Sequence, residues 1–490
     1  MSSDPQSQIL GVRSACELLG MLKSREISSV ELLEHFVERN NALHPKINAI
    51  VTLDIERAVA SAKASDQRRL DDKAVGELDG LPMTIKDAIA VAGVRSTGGA
   101  VELEHHVPER DAEVVTKVRD AGAVIFGKTN LPRWSGDVQA FNEIFGTTNN
   151  PWNLDCGPGG SSGGASAAVA CGLTSLDIGT DIGGSVRLPA HFAGVCGHKP
   201  SFGVVSQIGY IDHVSYGLSE ADVNVFGPLA RTVDDLELLF DVISGPRDNA
   251  GTGWKLRLPD ARGTARELRV AAWLDDTDCP VSEAVLGVLD TAVAAMESDG
   301  ISIDRAARPA VPFSDVREVG LPLISAAVSP GRTKEELAAL QDLAADSSAS
   351  PTMRMRAQSS TMSHREWLLL TERRDTNRLL WADFFADFDV LLAPVAFVPA
   401  FEHQHDGILY TRTLTVDGII RPYADLIVWT SQFGYVYLPS TVVPAGWTND
   451  GRPVGIQVVG PYLSDRTTLE FAKYIESLLG GYRVPPLAGG

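Results

Sequence analysis

Apolar residues first recur along the chain with the period of a helix. Val30, Leu33 and Val37 line one face behind Ile27-Ser28-Ser29-Val30-Glu31, where Ser28 and Glu31 have the spacing of a capping box. A second helix, rich in Ala and charge, is predicted over 55–69, so about 1–75 reads as a helical segment. After Gly76 the period shortens. Glu77-Leu78-Asp79-Gly80 reads as a turn and 81–85 as a buried strand. Asp111 is expected to cap a helix that carries Val114, Val115 and Val118 and stops at Gly122, before a strand over 123–126. Residues 162–171 form a small-residue helix ended by Gly172, and 175–178 a strand. Strands follow at 268–274, 390–392, 435–438 and 455–459, and helices at 282–296, stopped by Gly300, and 467–479.

This alternation predicts an α/β fold, a mixed central β-sheet flanked by helices on both faces. Residues 311–385 break the rhythm. They read as a mostly helical insertion with a second capping box, Ser363-His364-Arg365-Glu366, packed over one end of the sheet where it would shape a substrate entrance. No linker-like stretch or internal repeat divides residues 1–490, which are read as one domain.

Composition narrows the function. Forty-three basic against 63 acidic residues give a net charge of −20 and a pI of about 4.9, a surface that repels phosphate backbones and anionic membranes. Hydrophobic content of 44% fits a large buried core. Cys16, Cys156, Cys171, Cys196 and Cys279 are scattered and form no CxxC pair, which argues against a disulfide framework or a zinc site. The polar start, Met1-Ser2-Ser3-Asp4-Pro5-Gln6-Ser7-Gln8, and the lack of a long apolar run place the chain in the cytoplasm.

The chemistry concentrates in two glycine-rich turns. Gly159-Gly160-Ser161-Ser162-Gly163-Gly164 and Gly179-Thr180-Asp181-Ile182-Gly183-Gly184-Ser185-Val186-Arg187 place Ser161 and Ser185 in separate turns, and Lys86 closes the apolar run Leu81-Pro82-Met83-Thr84-Ile85. A serine hydroxyl needs a base to become a nucleophile, and a lysine is a base only when burial or nearby positive charge keeps it neutral. A second serine can relay the proton, and glycine-rich backbone can converge N–H groups on an oxyanion.

These turns, continued by Leu188-Pro189-Ala190 and Gly194-Val195-Cys196-Gly197-His198-Lys199-Pro200-Ser201-Phe202-Gly203, closely resemble the amidase signature family. Further resemblance lies in Gly127-Lys128-Thr129-Asn130-Leu131, Phe145-Gly146-Thr147-Thr148-Asn149-Asn150-Pro151-Trp152, Gly227-Pro228-Leu229-Ala230-Arg231-Thr232-Val233-Asp234-Asp235 and Gly455-Ile456-Gln457-Val458-Val459-Gly460, so it spans nearly the whole chain. The resemblance implies the amidase signature fold and a Ser–cisSer–Lys triad. Ser185 would be the nucleophile, Ser161, after a cis peptide from Gly160, the bridge, and Lys86 the base. The N–H groups of Ile182, Gly183, Gly184 and Ser185 would form the oxyanion hole, with Asp181 and Arg187 supporting the loop. His198 stands where the family usually has an apolar residue.

The activity so implied is hydrolysis of amides through a serine acyl-enzyme, with esters and carbamates (urethanes) as further substrates. A second reading is a subunit of a glutamine-dependent aminoacyl-tRNA amidotransferase, a branch that shares the signature. The intact triad disfavours a silent scaffold. Trp134 and Phe141 are candidates for an apolar pocket wall leaning toward bulky or aryl substrates; Trp429, Tyr437 and Trp447 are weaker ones. Partners are expected to be a small amide or carbamate and, by family analogy, a second copy of the chain in a homodimer, with no nucleic acid and no membrane.

Two patterns are set aside. Gly122-Ala123-Val124-Ile125-Phe126-Gly127-Lys128-Thr129 matches a phosphate-loop pattern, but its middle is an apolar strand. His403-Gln404-His405-Asp406 reads as a solvated loop rather than a metal site. Nothing calls for a metal or other cofactor.

Overall fold

A computed structural model describes residues 10–211, 217–246, 250–329 and 332–488; the polar stretch 1–8 lies outside them. Eleven strands build one sheet: β1 (Ile50–Leu53), β2 (Pro82–Lys86), β3 (Val124–Thr129), β4 (Asp177–Asp181), β5 (Cys196–Lys199), β6 (Val225–Ala230), β7 (Val270–Ala272), β8 (Ile303–Asp304), β9 (Val390–Pro394), β10 (Ser440–Trp447) and β11 (Pro453–Val459). Their order is β1-β3-β2-β4-β6-β5-β10-β11-β9-β7-β8. β3, β2 and β4 run parallel, as do β9, β7 and β8, and the pairs between these two groups are antiparallel. The sheet is therefore mixed, with helices on both faces, as the alternation predicts.

The capping boxes at Ser28–Glu31 and Ser363–Glu366 both form, with the serine accepting from the glutamate N–H and the glutamate accepting in return. Asp111 does not cap its helix. That helix, Glu113–Asp120, starts behind Ala112 with no side-chain cap, because Asp111 accepts from Ala92 N–H at 2.7 Å and pairs with Arg119. The strand expected over 435–438 is absent. Those residues turn out of the helix Val428–Gly434, with Tyr437 at φ 74° stacked on Phe202 at 4.2 Å, and β10 begins only at Ser440. The strand expected over 268–274 shrinks to Val270–Ala272.

The described residues of 311–385 are mostly helical: a π-turn at Val316–Gly320, then helices Leu321–Ala327, Lys334–Ala345, Pro351–Ser360 and His364–Asp387. The π-turn packs on the helix Val428–Gly434, which leads to the site.

At the centre lies the helix Gly163–Ala170, buried at every residue. A helix of Gly, Ala, Ser and one Val can sit against β2, β4 and β6 because it presents little side-chain bulk. Gly164 marks the closest approach: a Cβ there would stand 2.3 Å from the backbone nitrogen of Asn130. Gly164→Ala therefore forces a backbone shift in a packed interior and should lower the unfolding free energy by about 1–3 kcal/mol. Equilibrium denaturation in urea measures it, and an unchanged midpoint would refute the close packing.

Candidate active site

Three elements deliver the three predicted side chains. Lys86 ends β2, Ser161 sits in the turn ahead of the helix Gly163–Ala170, and Ser185 lies between β4 and the helix Arg187–Ala193. The Gly160–Ser161 peptide is cis. Gly160 has no room for a side chain, since a Cβ would lie 2.6 Å from backbone atoms of Val138 and Gln139. The two turns are joined directly: Ser162 N–H donates to the Ser185 carbonyl at 3.1 Å.

Lys86 Nζ donates to Ser161 Oγ at 2.6 Å and to Thr180 Oγ1 at 2.7 Å. Lys86 and Ser161 are fully buried, whereas Ser185 is half-buried. Burial pushes the Lys86 ammonium down to about 7, against the opposing pull of Asp181 and Asp177. Burial also pushes the Asp177 carboxyl up to about 7, although Thr84 and Thr129 donate to it at 2.6 and 3.1 Å. A lysine so placed is poised to accept a proton near neutral pH.

Asp181 and Arg187 form a buried clamp. Burial raises the Asp181 carboxyl, but Arg187 and the backbone donors outweigh it and hold the group down at about 2. Arg187 donates to Asp181 at 2.9 and 3.0 Å, and to the Thr430 carbonyl at 2.7 Å. Asp181 also accepts from the N–H groups of Gly184, Val186 and Arg187.

One of the four expected oxyanion donors is engaged elsewhere. The Gly184 N–H is committed to Asp181 Oδ1 at 2.8 Å, with Gly184 at φ 123°, so it faces the carboxylate. Ile182, Gly183 and Ser185 are the donors of this turn not committed to another group among the described residues. Thr430 Oγ1 donates to the Gly183 carbonyl at 2.6 Å and fixes that peptide's orientation.

The pocket candidates fare unevenly. The segment after β3 reaches the turn at Val138 and Gln139, not at its aromatic rings. Trp134 packs over Gly98, and Phe141 stacks on His405 at 4.1 Å. The loop 403–406 is thus partly packed: His403 is half-buried and meets Asn149 Oδ1 at 3.0 Å, while His405 is exposed. Trp429 is core, with its Nε1 donating to the Cys279 carbonyl, and Trp447 stacks under Arg483. Lys128, from the phosphate-loop pattern, is buried in β3 and donates to the Ile89 carbonyl and Ser96. His198 is a buried structural residue, 2.9 Å from Thr441 Oγ1 and 3.2 Å from Asp465. Sequence reasoning misses Thr180, Thr430 and Gln457, although Thr180 and Gln457 stand within the family motifs; Gln457 touches Arg187 at 3.4 Å. No group of three or more potential metal ligands occurs among the described residues, and no described helix is long and apolar enough to cross a membrane.

The sequence model of the Amidase family matches residues 31–469, and the chain belongs to that family. It is 31% identical to a glutamyl-tRNA(Gln) amidotransferase subunit of Carboxydothermus hydrogenoformans, over 94% of this chain and 96% of that one. It is 29% identical to an indoleacetamide hydrolase of Bradyrhizobium diazoefficiens, over 95% of this chain and 86% of that one. Among solved structures, a bacterial aryl acylamidase of the amidase signature family superposes with a TM-score of 0.81 at 24% identity, covering 98% of this chain and 99% of that one. The fold is thus the amidase signature fold, and the class is that of hydrolases acting on carbon–nitrogen bonds.

Arg187→Met would strand Asp181 as an unpaired buried charge. The expected loss of stability is about 3–5 kcal/mol, read from denaturant unfolding. A loss under about 1 kcal/mol would show that the clamp does not hold the turn.

Proposed function

We propose that this protein is a stand-alone amidohydrolase that works through a Ser185 acyl-enzyme. The observation that carries the reading is the dry Lys86–Ser161 contact of 2.6 Å beside a half-exposed Ser185. Ser185 Oγ attacks the amide carbonyl carbon. Its proton passes to Ser161 Oγ, which gives its own to neutral Lys86. The developing oxyanion takes the N–H groups of Ile182, Gly183 and Ser185, each such donor being worth about 3–4 kcal/mol. As the tetrahedral centre collapses, the proton returns through Ser161 to the leaving nitrogen. Water then attacks the acyl-enzyme, with the relay running again, and frees the acid.

Aryl and apolar amides are the proposed substrate class, with esters and carbamates following from the same intermediate. The relative named for indoleacetamide supports an aromatic amide. Trp134 and Phe141 remain candidates for an aromatic wall farther along the segment whose Val138 and Gln139 touch the turn. The second reading, as one component of an amidotransferase, is favoured by the relatives that carry that name. The net charge of −20 disfavours direct tRNA binding by this chain.

Turnover of an anilide, an aryl ester, an alkyl-aryl carbamate and glutamine by the purified chain, with Ser185→Ala as blank, decides between them. Turnover of one of the first three, lost at least about 1,000-fold in the variant, is expected. Hydrolysis of glutamine alone would favour the amidotransferase reading.

The base must be neutral to act, and Lys86 is protonated below about 7. The kcat/KM should therefore fall about tenfold per pH unit below 7 and level off above it. A profile flat from pH 5.5 to 8 with folded protein would remove Lys86 from the role of base.

A further inference from the structure

Residues 137–140 lie against the turn that carries Ser161 with no room between the two stretches of backbone. A Cβ on Gly160 would stand 2.6 Å from backbone atoms of Val138 and Gln139 and 2.7 Å from the Asp137 carbonyl oxygen. One on Gly163 would stand 2.7 Å from the Ala140 side chain. The place of this segment therefore fixes the place of Ser161. Residues 137–139 belong to no helix or strand, and two of their own side chains supply the anchors.

Asp137 pairs with Arg412 through one carboxylate oxygen, and the other accepts from the Tyr423 hydroxyl at 3.0 Å. Gln139 Nε2 donates to the Tyr423 Oη at 2.8 Å and to the Gln404 carbonyl at 2.7 Å, while its Oε1 accepts from the Gln404 N–H at 3.0 Å. Arg412 donates to the same carbonyl at 2.6 Å and lies 4.2 Å over the Tyr423 ring. Gln139, Arg412 and Tyr423 are buried, and the Asp137 side chain is only 9% exposed. Tyr423 also opens the short helix Tyr423–Ile427, whose Ile427 Cδ1 lies 3.6 Å from where a Cβ of Gly183 would stand. One network thus stands behind both serine turns.

A buried ion pair adds little net stability, since packed apolar side chains serve as well or better. What charge-assisted bonds add is directional placement. Placement matters here because a proton crosses only a hydrogen-bond distance, and an error of about 1 Å in a reacting group costs roughly 100-fold in rate. We propose that Asp137, Gln139, Arg412 and Tyr423 are positioning residues for the proton relay: by pressing residues 137–139 on Gly160 they keep Ser161 Oγ at its 2.6 Å contact with Lys86 and aimed to serve the leaving nitrogen. The proposal rests on the relay described under the proposed function and extends it to the segment behind the triad.

Slack in Ser161 has a signature that general loss of structure lacks. An amide needs a proton returned to its leaving nitrogen, whereas p-nitrophenolate departs without one. A displaced Ser161 therefore slows an amide more than an ester, while lost oxyanion donors slow both alike. The test measures kcat/KM, which reports acylation, for the anilide and the p-nitrophenyl ester of one acid, and follows the anilide-to-ester ratio. Ser161→Ala sets the scale, with an expected fall of about 100-fold or more. Asp137→Asn and Tyr423→Phe should each lower the ratio about tenfold. The ratio is independent of the fraction of active enzyme, so a merely structural network leaves it unmoved whatever happens to the Tm. If Asp137→Asn fails to fold, Tyr423→Phe, which keeps the ring and its packing, is read alone. A fall of less than about threefold in the folded variants, with Ser161→Ala behaving as expected, overturns the positioning role alone. An unmoved ratio in Ser161→Ala, or a wild type that cleaves no anilide, rejects the relay and the positioning role with it.

Discussion

The Asp181–Arg187 ion pair holds the rest of the site together. Both side chains are completely buried. A buried pair is tolerable only when its remaining polar atoms are also satisfied. Here they are met by three backbone N–H groups on one side and by the Thr430 carbonyl and Gln457 on the other. Each of those bonds pins a different element. The pair therefore sets the curvature of the turn around Ser185, the start of the helix Arg187–Ala193 and the position of the helix Val428–Gly434 at the same time.

Burial decides the state of Lys86, against the pull of the Asp181 carboxylate. Asp181 is the strongest negative influence on that lysine, and alone it would favour the ammonium form. Its charge is already matched by Arg187, which weakens its hold on Lys86. Desolvation then wins, and the amine loses its proton near neutrality. A buried salt bridge that adds little stability of its own can thus be retained for what it does to a neighbouring base.

Much of this was legible in the sequence, for identifiable reasons. The serines, Asp181 and Arg187 lie in glycine-rich runs whose composition betrays crowded backbone, Lys86 closes an apolar strand, and the helices announced themselves by period and by caps such as Ser28–Glu31. What escaped reading depends on partners distant in the chain. β5 and β6 carry Gly197, Gly227 and Pro228, which look like breakers; yet Gly227 is there because a Cβ would strike the His198 carbonyl on the neighbouring strand. Residues 435–438 look like a strand, but Phe202 and Asp222 hold Tyr437 in a turn. Asp111 precedes a helix as a cap should, and is drawn instead to Ala92 and Arg119. The capture of the Gly184 N–H by Asp181 depends on one φ angle, which composition does not encode.

The relatives of this chain include both an indoleacetamide hydrolase and an amidotransferase subunit. Under the proposed acyl-enzyme mechanism the two readings differ in what reaches Ser185. A hydrolase must let water attack at Ser185 while keeping it from Lys86, since a solvated lysine regains its proton and stops being a base. The chain has that gradient across a short distance: Ser185 is half-buried, while Ser161, Lys86 and Thr180 behind it are closed off by β2, β4 and the helix Gly163–Ala170. In the proposed mechanism Ser161 makes that gradient workable, carrying protons between a wet carbonyl carbon and a dry amine so that neither has to enter the other's surroundings. A lysine placed directly against the nucleophile would have to share its exposure, and with it a pKa closer to that of a free amine.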